Sequence, residues 1–567
     1  MYKVDRYKLA SMLLTFFSMT VVVTAIFLLA GISVSIWNIL FASTVTASIF
    51  LYKDNDFKKT IFHLVVVAAI IVLITLFSSS VFDQTWDGAA YHKQAIGFLK
   101  YGWNPVYQAN TVFNELSHNI QIPRHNPMLW AEAYPKATWY FSASIYALTG
   151  NIESGKMYHL LFALITYLFF SEFLIRKGLK KYQAILSSLV IALNPVVLAQ
   201  FCSYYLDSVV VCSLMLIMLL FMQVFEGRDQ AKNWLNLSFL MIIGCNLKFS
   251  VGLFVATYAI IFILYYCYRE TNKRKVGGRF LILAFSAFMA VGVVGVSPYL
   301  TNLLRYQNIF YGFIGEQGFM TKDLAGQYFG IKGLSDPVMF FLSLIGRMSH
   351  GNLTQIGDLV KIPFTFKMEE LNYYYYVDPR VGGLGVFFSG IFFLSIIVWA
   401  LKRKQWRKEF SDTKDKMLIV EIFSWISFIE MAFLPTSYNT RYIGHIYILF
   451  FISLFILFSL ENKLKNKISN YIGIFICVMG ILNTAPYVPV MLHKIDAATD
   501  IRAILNYMKN RSQEGKKYQV CFYVDDFSGM NYNLMDKDIN YELVLREQVD
   551  ETFQLTYANW LYYKELP

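Results

Sequence analysis

Apolar runs long enough to cross a bilayer recur along most of the chain. Only a helix satisfies its own backbone N–H and C=O groups inside hydrocarbon, and roughly 17 to 25 apolar residues make one span. On that criterion the sequence predicts about thirteen spans, near 9–31, 33–52, 60–80, 157–175, 183–200, 209–225, 234–247, 251–268, 280–297, 384–401, 417–434, 443–460 and 469–488. The pair 234–247 and 251–268 is the shortest, because Asn246 and Lys248 interrupt it. With 56% hydrophobic and only 16% charged residues, a soluble globular chain is excluded. The expectation is an all-α polytopic protein of the lipid bilayer, residues 1–488 forming the transmembrane domain.

Lys and Arg are retained on the cytoplasmic side of a membrane, so loop charge gives orientation. With the amino terminus inside, the cytoplasmic segments become Met1–Lys8, Lys53–Lys59, RKGLKK from Arg176, EGRDQAK from Glu226, RETNKRKVGGR from Arg269, KRKQWRKEFSDTKDK from Lys402 and ENKLKNK from Glu461. All are Lys/Arg-rich, so the net charge of +12 reads as topology and not as a nucleic-acid surface. The first apolar run is too long for a cleaved signal and reads as an uncleaved anchor. Three larger pieces then lie outside: 81–155, 297–383 and a tail, 489–567. In the tail, HKIDAATDIRAILNYMKNRSQ puts Ile501, Ile504, Leu505 and Met508 on one helical face. The strand-like YQVCFYVDDF and alternating stretches near Tyr541–Leu545 and Phe553–Tyr557 follow, which predicts a small α/β domain. Its Asp525-Asp526 pair reads as a strand-ending turn before it reads as a metal site.

Of six cysteines, only Cys202 and Cys521 are both expected outside, and no Cys/His spacing suggests a structural metal. No Walker motif is present, which disfavours an ATP-driven pump.

The polar residues gather at outer span ends. Asp83 and Asp87 follow the third apolar run. Behind them AAYHKQAIGFLKYGWNP repeats Tyr91, Ala95, Ile96 and Leu99 at helical spacing, up to a stop at Gly102 and Pro105. This predicts an amphipathic helix in the membrane interface. The polar stretch NELSHNIQIPRHNP comes next, and Pro135 opens a second short helix near 136–149. Asp207, in SYYLDS, and Arg441, in NTRYIGH, mark two further outer ends. A sugar carried on a polyprenyl phosphate presents its anomeric carbon at the bilayer surface. Transfer needs a base for the acceptor and cations for the departing phosphate. Asp87 and Asp83 are candidates for the first, and Lys136, Arg380 and Arg441, with His92 and His445 as further donors, for the second. Plainer readings stand beside these. Asp87 and Asp207 also suit helix N-caps, Asp83 a membrane boundary, and Tyr91 an interfacial anchor; Lys136 and Arg441 suit headgroup snorkels, and Tyr373–Tyr376 an aromatic belt or a sugar-stacking surface.

The motifs WDGAAYH, LKYGWNPVY and AYPKATWYFSA, with SYYLDS, NLKFS, SPYLTN and PTSYNTRYIGH in that order, resemble the GT-C superfamily of integral-membrane glycosyltransferases. Within it they are similar to bacterial relatives of the protein O-mannosyltransferases and the lipid A aminoarabinose transferase. The resemblance covers roughly the first 460 residues. It implies inverting transfer of a monosaccharide from a polyprenyl-phosphate sugar to an extracytoplasmic glycan, lipid or protein, at a bacterial plasma membrane. It also implies that the acid of the first external loop is the base, and Asp87, four residues before Tyr91-His92, fits that place better than Asp83. Asp207, Tyr91, Tyr134 and His445 would then serve the acceptor. No cofactor is expected to be required, although one branch of the superfamily uses a divalent ion, so Mg or Mn stays open. Two other classes compete. A lipid-linked oligosaccharide transporter would place its ionisable groups in mid-membrane, and a surface polysaccharide polymerase or ligase would depend on external Arg and His without the paired acids.

Overall fold

The computed structural model describes residues 4–53, 56–113, 127–225, 231–312, 334–350, 359–410, 414–434, 436–524, 527–556 and 560–566. The NELSHNIQIPRHNP stretch up to residue 126, the acidic pair Asp525-Asp526 and residues 226–230 lie outside these.

Among the described residues, eight helical segments are long and apolar enough to cross a membrane: Arg6–Leu29, Phe57–Ser79, Ile152–Arg176, Asp207–Phe225, Phe249–Arg269, Lys273–Val294, Thr440–Leu464 and Lys467–Gln513. The chain is an integral membrane protein on that length and composition. The other five expected runs also form helices, at Ile36–Lys53, Lys181–Ala192, Ala231–Cys245, Phe388–Glu409 and Lys414–Phe433, but thirteen crossings are not reached on length and composition. The run expected over 183–200 is broken for a reason visible in its residues. Asn194 accepts a hydrogen bond from the Val197 N–H, and Pro195 opens a new short helix, Pro195–Gln200. Asp207–Phe225 lies at the centre of the bundle with nearly every side chain buried, whereas Phe57–Ser79 leaves Val65, Val72, Leu73 and Leu76 exposed, an apolar face suited to lipid.

The tail folds as a four-stranded sheet in the order β2-β1-β4-β3, with β1 at Tyr518–Phe522, β2 at Tyr541–Leu543, β3 at Gln554–Leu555 and β4 at Leu561–Glu565. β1 runs parallel to β2, with Tyr518 opposite Tyr541, and antiparallel to β4, with Val520 opposite Tyr563. The long helix Tyr487–Gln513 lays Ile501, Leu505 and Met508 against it. Cys202 and Cys521 form no disulfide.

The loop that follows Phe57–Ser79 departs from expectation. A π-helical turn, Gly88–His92, leads into a helix over Lys93–Lys100 in which Lys93 to Leu99 are all buried. An interfacial helix would keep one polar face in water, and this one does not. One side packs on the helix Ala137–Thr149, and the other side receives the tail: Ala89 belongs to the tail's own hydrophobic core, and Gly97 lies so close to the Tyr532 ring that an added Cβ would fall 1.9 Å from it. A further short helix, Pro127–Ala133, was not marked by any pattern in the sequence.

A buried charge cluster closes this joint. Glu153 binds the Nζ of Lys93 and of Lys156, each at 2.5 Å, with all three side chains fully buried. Asn533 of the tail donates to Glu153 at 2.9 Å and accepts from Lys93 at 3.1 Å. Gln94 bonds to Ser528, and Tyr146 donates to Asp536 at 2.5 Å.

Candidate active site

Several span ends converge on one side of the bundle around a cavity of about 910 Å³. The segment after Phe57–Ser79 contributes Trp86, Asp87, Tyr91 and His92; Trp130 and Tyr134 come from the Pro127–Ala133 region. The start of Asp207–Phe225 contributes Tyr205 and Asp207, and the start of Phe249–Arg269 contributes Lys248 and Phe249. The segment before the helix Phe388–Glu409 adds His350, Tyr375, Tyr376, Asp378 and Arg380, and the approach to the helix Ile448–Leu464 adds Tyr438, Arg441 and Tyr442.

Arg441 stands at the centre. Its guanidinium lies 3.5 Å from Asp87, 3.8 Å from Asp207 and 3.8 Å from Asp378, between the Tyr205 and Tyr442 rings at 4.8 and 4.9 Å. Nη2 donates to the Tyr442 hydroxyl, while buried Nε and Nη1 make no hydrogen bond among the described residues. Asp207 also takes the Lys248 ammonium, and a donor bond from Gln200 at 3.0 Å. Gln200 in turn accepts from the Ser208 N–H, so the helix start is capped by Gln200 and Asp207 is left for the two cations. Arg380 lies 3.9 Å from Asp378, and His350 lies 3.7 Å from it, stacked on Tyr376.

Asp87 occupies the N-cap position of the π-helical turn with helical backbone angles and makes no side-chain capping bond, which removes the plainer reading of that residue. Burial pushes its carboxyl up, Arg441 and Lys248 draw it down, and Asp378 and Asp207 push it up again, to about 6. Burial drives the His92 imidazole well below its ordinary range, so the ring is neutral near pH 7. Its Nδ1 faces the Trp139 indole N–H at 2.7 Å. An indole can only donate, so Nδ1 accepts and the proton sits on Nε2, which makes His92 a neutral hydrogen-bond donor. Burial raises the Tyr91 and Tyr134 phenols, so both remain protonated donors.

Seven of the ten residues singled out in the sequence therefore line one cavity: Asp87, Tyr91, His92, Tyr134, Asp207, Arg380 and Arg441. Three do not. Asp83 is fully buried behind the wall, where its carboxylate accepts from the Thr85 N–H and hydroxyl and from the Tyr204 N–H at 2.6 Å. Gly88 passes directly over that carboxylate, where an added Cβ would fall 1.8 Å from its oxygen. Asp83 thus positions the turn that carries Asp87 and is placed as a brace, not as a base. Lys136 spends its ammonium on the carbonyls of Glu132 and Tyr134, at 2.6 and 2.8 Å, and caps the end of Pro127–Ala133 without facing the cavity. Burial lowers it to about 7. His445 is sealed inside the bundle, edge-on to Phe254 at 4.9 Å, and neither ring nitrogen has a hydrogen-bond partner among the described residues. A snorkel to headgroups, the plainer reading of Lys136 and Arg441, fails for both because both are largely buried.

Sequence reasoning passed over Asp378 and His350, which sit in a loop without periodicity. It left Lys248 unassigned because the depth of its span pair was open. Tyr375 and Tyr376 of the tyrosine run face the cavity, whereas Tyr374 is buried and donates to the Asn483 carbonyl. Among the described residues no group of three or more His, Cys, Asp and Glu side chains is arranged to hold a metal ion. The sequence matches no protein-family model and no curated protein.

Proposed function

We propose that the chain is an inverting glycosyltransferase that moves a monosaccharide from a polyprenyl-phosphate sugar to an extracytoplasmic acceptor. The observation that carries this reading is the pairing of Asp87 with Arg441 at 3.5 Å, beside Lys248, in one cavity walled largely by aromatic rings. A carboxyl held near 6 suits a general base, guanidinium and ammonium groups suit a phosphate, and tyrosine and tryptophan faces suit a sugar ring. The cavity, about 910 Å³, has the volume for a phosphosugar headgroup and an acceptor together.

In this mechanism Asp87 accepts the proton of the acceptor hydroxyl as that oxygen bonds to the anomeric carbon. The bond from the anomeric carbon to the phosphate oxygen breaks on the opposite face, and the electron pair leaves with polyprenyl phosphate. Arg441 and Lys248 hold the growing charge on that phosphate, and Arg380 lies on the same wall. Asp207 fixes both cations from behind, and the His92 Nε2–H serves as a neutral donor to a sugar hydroxyl. The site faces away from the cytoplasm, in a bacterial plasma membrane whose inner face carries the Lys/Arg-rich loops.

Mass spectrometry of polyprenyl-linked lipids and surface glycans, in cells with and without the chain and with Asp87→Asn, tests this. The expected result is accumulation of one polyprenyl-phosphate sugar and loss of that sugar from a surface glycan, in both the deletion and the variant. A complete lipid-linked oligosaccharide trapped on the cytoplasmic side would overturn it in favour of a transporter.

A further inference from the structure

We propose that Arg441 acts as a switch on the proton acceptor: a phosphate group arriving in the cavity draws the guanidinium away from Asp87, so that Asp87 becomes a stronger base once the donor is bound. The inference rests on the glycosyl-transfer reading and adds to it an order, donor before acceptor.

The geometry singles out Asp87 among the three acids around Arg441. Asp207 keeps Lys248 and Gln200 if the guanidinium moves. Asp378 keeps Arg380 and His350. For Asp87, Arg441 is the one cation within ion-pair distance among the described residues. The guanidinium is also prepared to receive an anion. Among the described residues Nε and Nη1 are buried without hydrogen bonds, and the guanidinium's contacts with the three carboxylates, at 3.5 to 3.8 Å, are attractions across a gap and not formed hydrogen bonds.

Charge balance points the same way. Among the described residues, the charged ones lining the cavity are Asp87, Asp207 and Asp378 against Lys248, Arg380 and Arg441, three of each sign. One added negative charge is matched when one carboxylate takes a proton. The groups facing Asp87 are Arg441, Lys248, Asp378 and Asp207, with the phenols of Tyr91, Tyr134 and Tyr205. Of these, Arg441 exerts the largest downward pull on its carboxyl. Weakening that pull raises the carboxyl above about 6, towards the pH at which a base works best.

Calorimetry of farnesyl methyl phosphate binding to the full chain in detergent, near pH 6.5 and in two buffers of different ionisation enthalpy, reads the switch without turnover. A phosphodiester does not itself titrate there. The expected result is net uptake of roughly half a proton per bound anion, abolished by Asp87→Asn and kept by Asp378→Asn. Dimethyl phosphate run in parallel identifies the source: uptake with the lipid alone assigns the anion to a lipid headgroup, and uptake with both assigns it to any phosphodiester, and either result supports the switch. Binding without uptake, uptake that survives Asp87→Asn, or uptake lost in Asp378→Asn overturns the switch and leaves the phosphate site standing. Failure of chromatographically intact wild-type protein to bind any phosphodiester overturns the phosphate site and the switch with it.

Discussion

Replacing Glu153 by Gln should loosen the joint between the tail and the transmembrane domain more than any single apolar change at that seam. Glu153 sits between two fully buried ammonium groups, 2.5 Å from each, and also accepts from the Asp83 N–H at 3.0 Å and from Asn533 at 2.9 Å. Gln preserves the shape and one acceptor oxygen but removes the negative charge. Breaking a buried ion pair from one side costs about 3–5 kcal/mol, because the partner's charge stays behind unmatched. Lys93 retains the Asp83 carbonyl and Asn533, and Lys156 retains the Val81 carbonyl, so the lower end applies. A loss of about 3 kcal/mol is roughly a 100-fold shift in equilibrium. Unfolding by SDS titration in mixed micelles should show that loss, and hydrogen exchange should quicken in residues 93–100 and 528–535 together. Adding Lys156→Met to Glu153→Gln should cost less than the sum of the two, since the second change removes one of the stranded cations. An unchanged midpoint, or strict additivity, would refute the argument that this cluster holds the joint.

Arg441→Lys keeps one charge but loses the planar group that reaches three carboxylates between two tyrosine rings, so phosphodiester affinity should fall by roughly tenfold or more with the fold retained; titration calorimetry reads it, and an unchanged Kd would count against the phosphate role. Asp83→Asn should lower stability by about 1–3 kcal/mol, because in either orientation its amide NH₂ meets a donor, Tyr204 N–H on one side or the Thr85 N–H and hydroxyl on the other; the acid limb of the transfer pH profile should persist, and its loss would return Asp83 to the base assignment. Burial holds the Asp536 carboxyl up at about 7, from an ordinary 3.8, although Tyr146 and the Ile152 N–H favour its ionised form. The folded state therefore binds that proton more tightly than the unfolded chain, so stability is greatest below the ordinary value and declines as pH rises through about 7. Thermal melts between pH 5 and 8 should show that decline, and Asp536→Asn should flatten it.

Much of the membrane architecture was legible in the sequence because hydrocarbon leaves a backbone few choices. Every expected run forms helix, and the break at Asn194-Pro195 follows from a cap and a missing donor. The tail's helix face and three of its four strands were also readable, since Ile501, Leu505 and Met508 repeat at helical spacing and Tyr518–Phe522 is a short apolar, strand-like run. Site residues close to span ends, Asp87, Asp207 and Arg441, were legible for a related reason: a charge at such a boundary is costly unless something pairs with it.

Length and hydrophobic period are local quantities, so the sequence by itself determined that the chain is a helical membrane protein with polar residues gathered at its span ends. It could not determine which of those polar groups meet. Only the tertiary structure set Asp87, Asp207 and Asp378 around one guanidinium, turned Asp83 and Lys136 inward as braces, and docked the tail behind the helix that follows Asp87. Those outcomes depend on contacts between residues hundreds of positions apart, such as Lys93 with Asn533 and Arg441 with Asp87. A buried charge takes whichever partner packing brings within reach, and no local pattern records that choice.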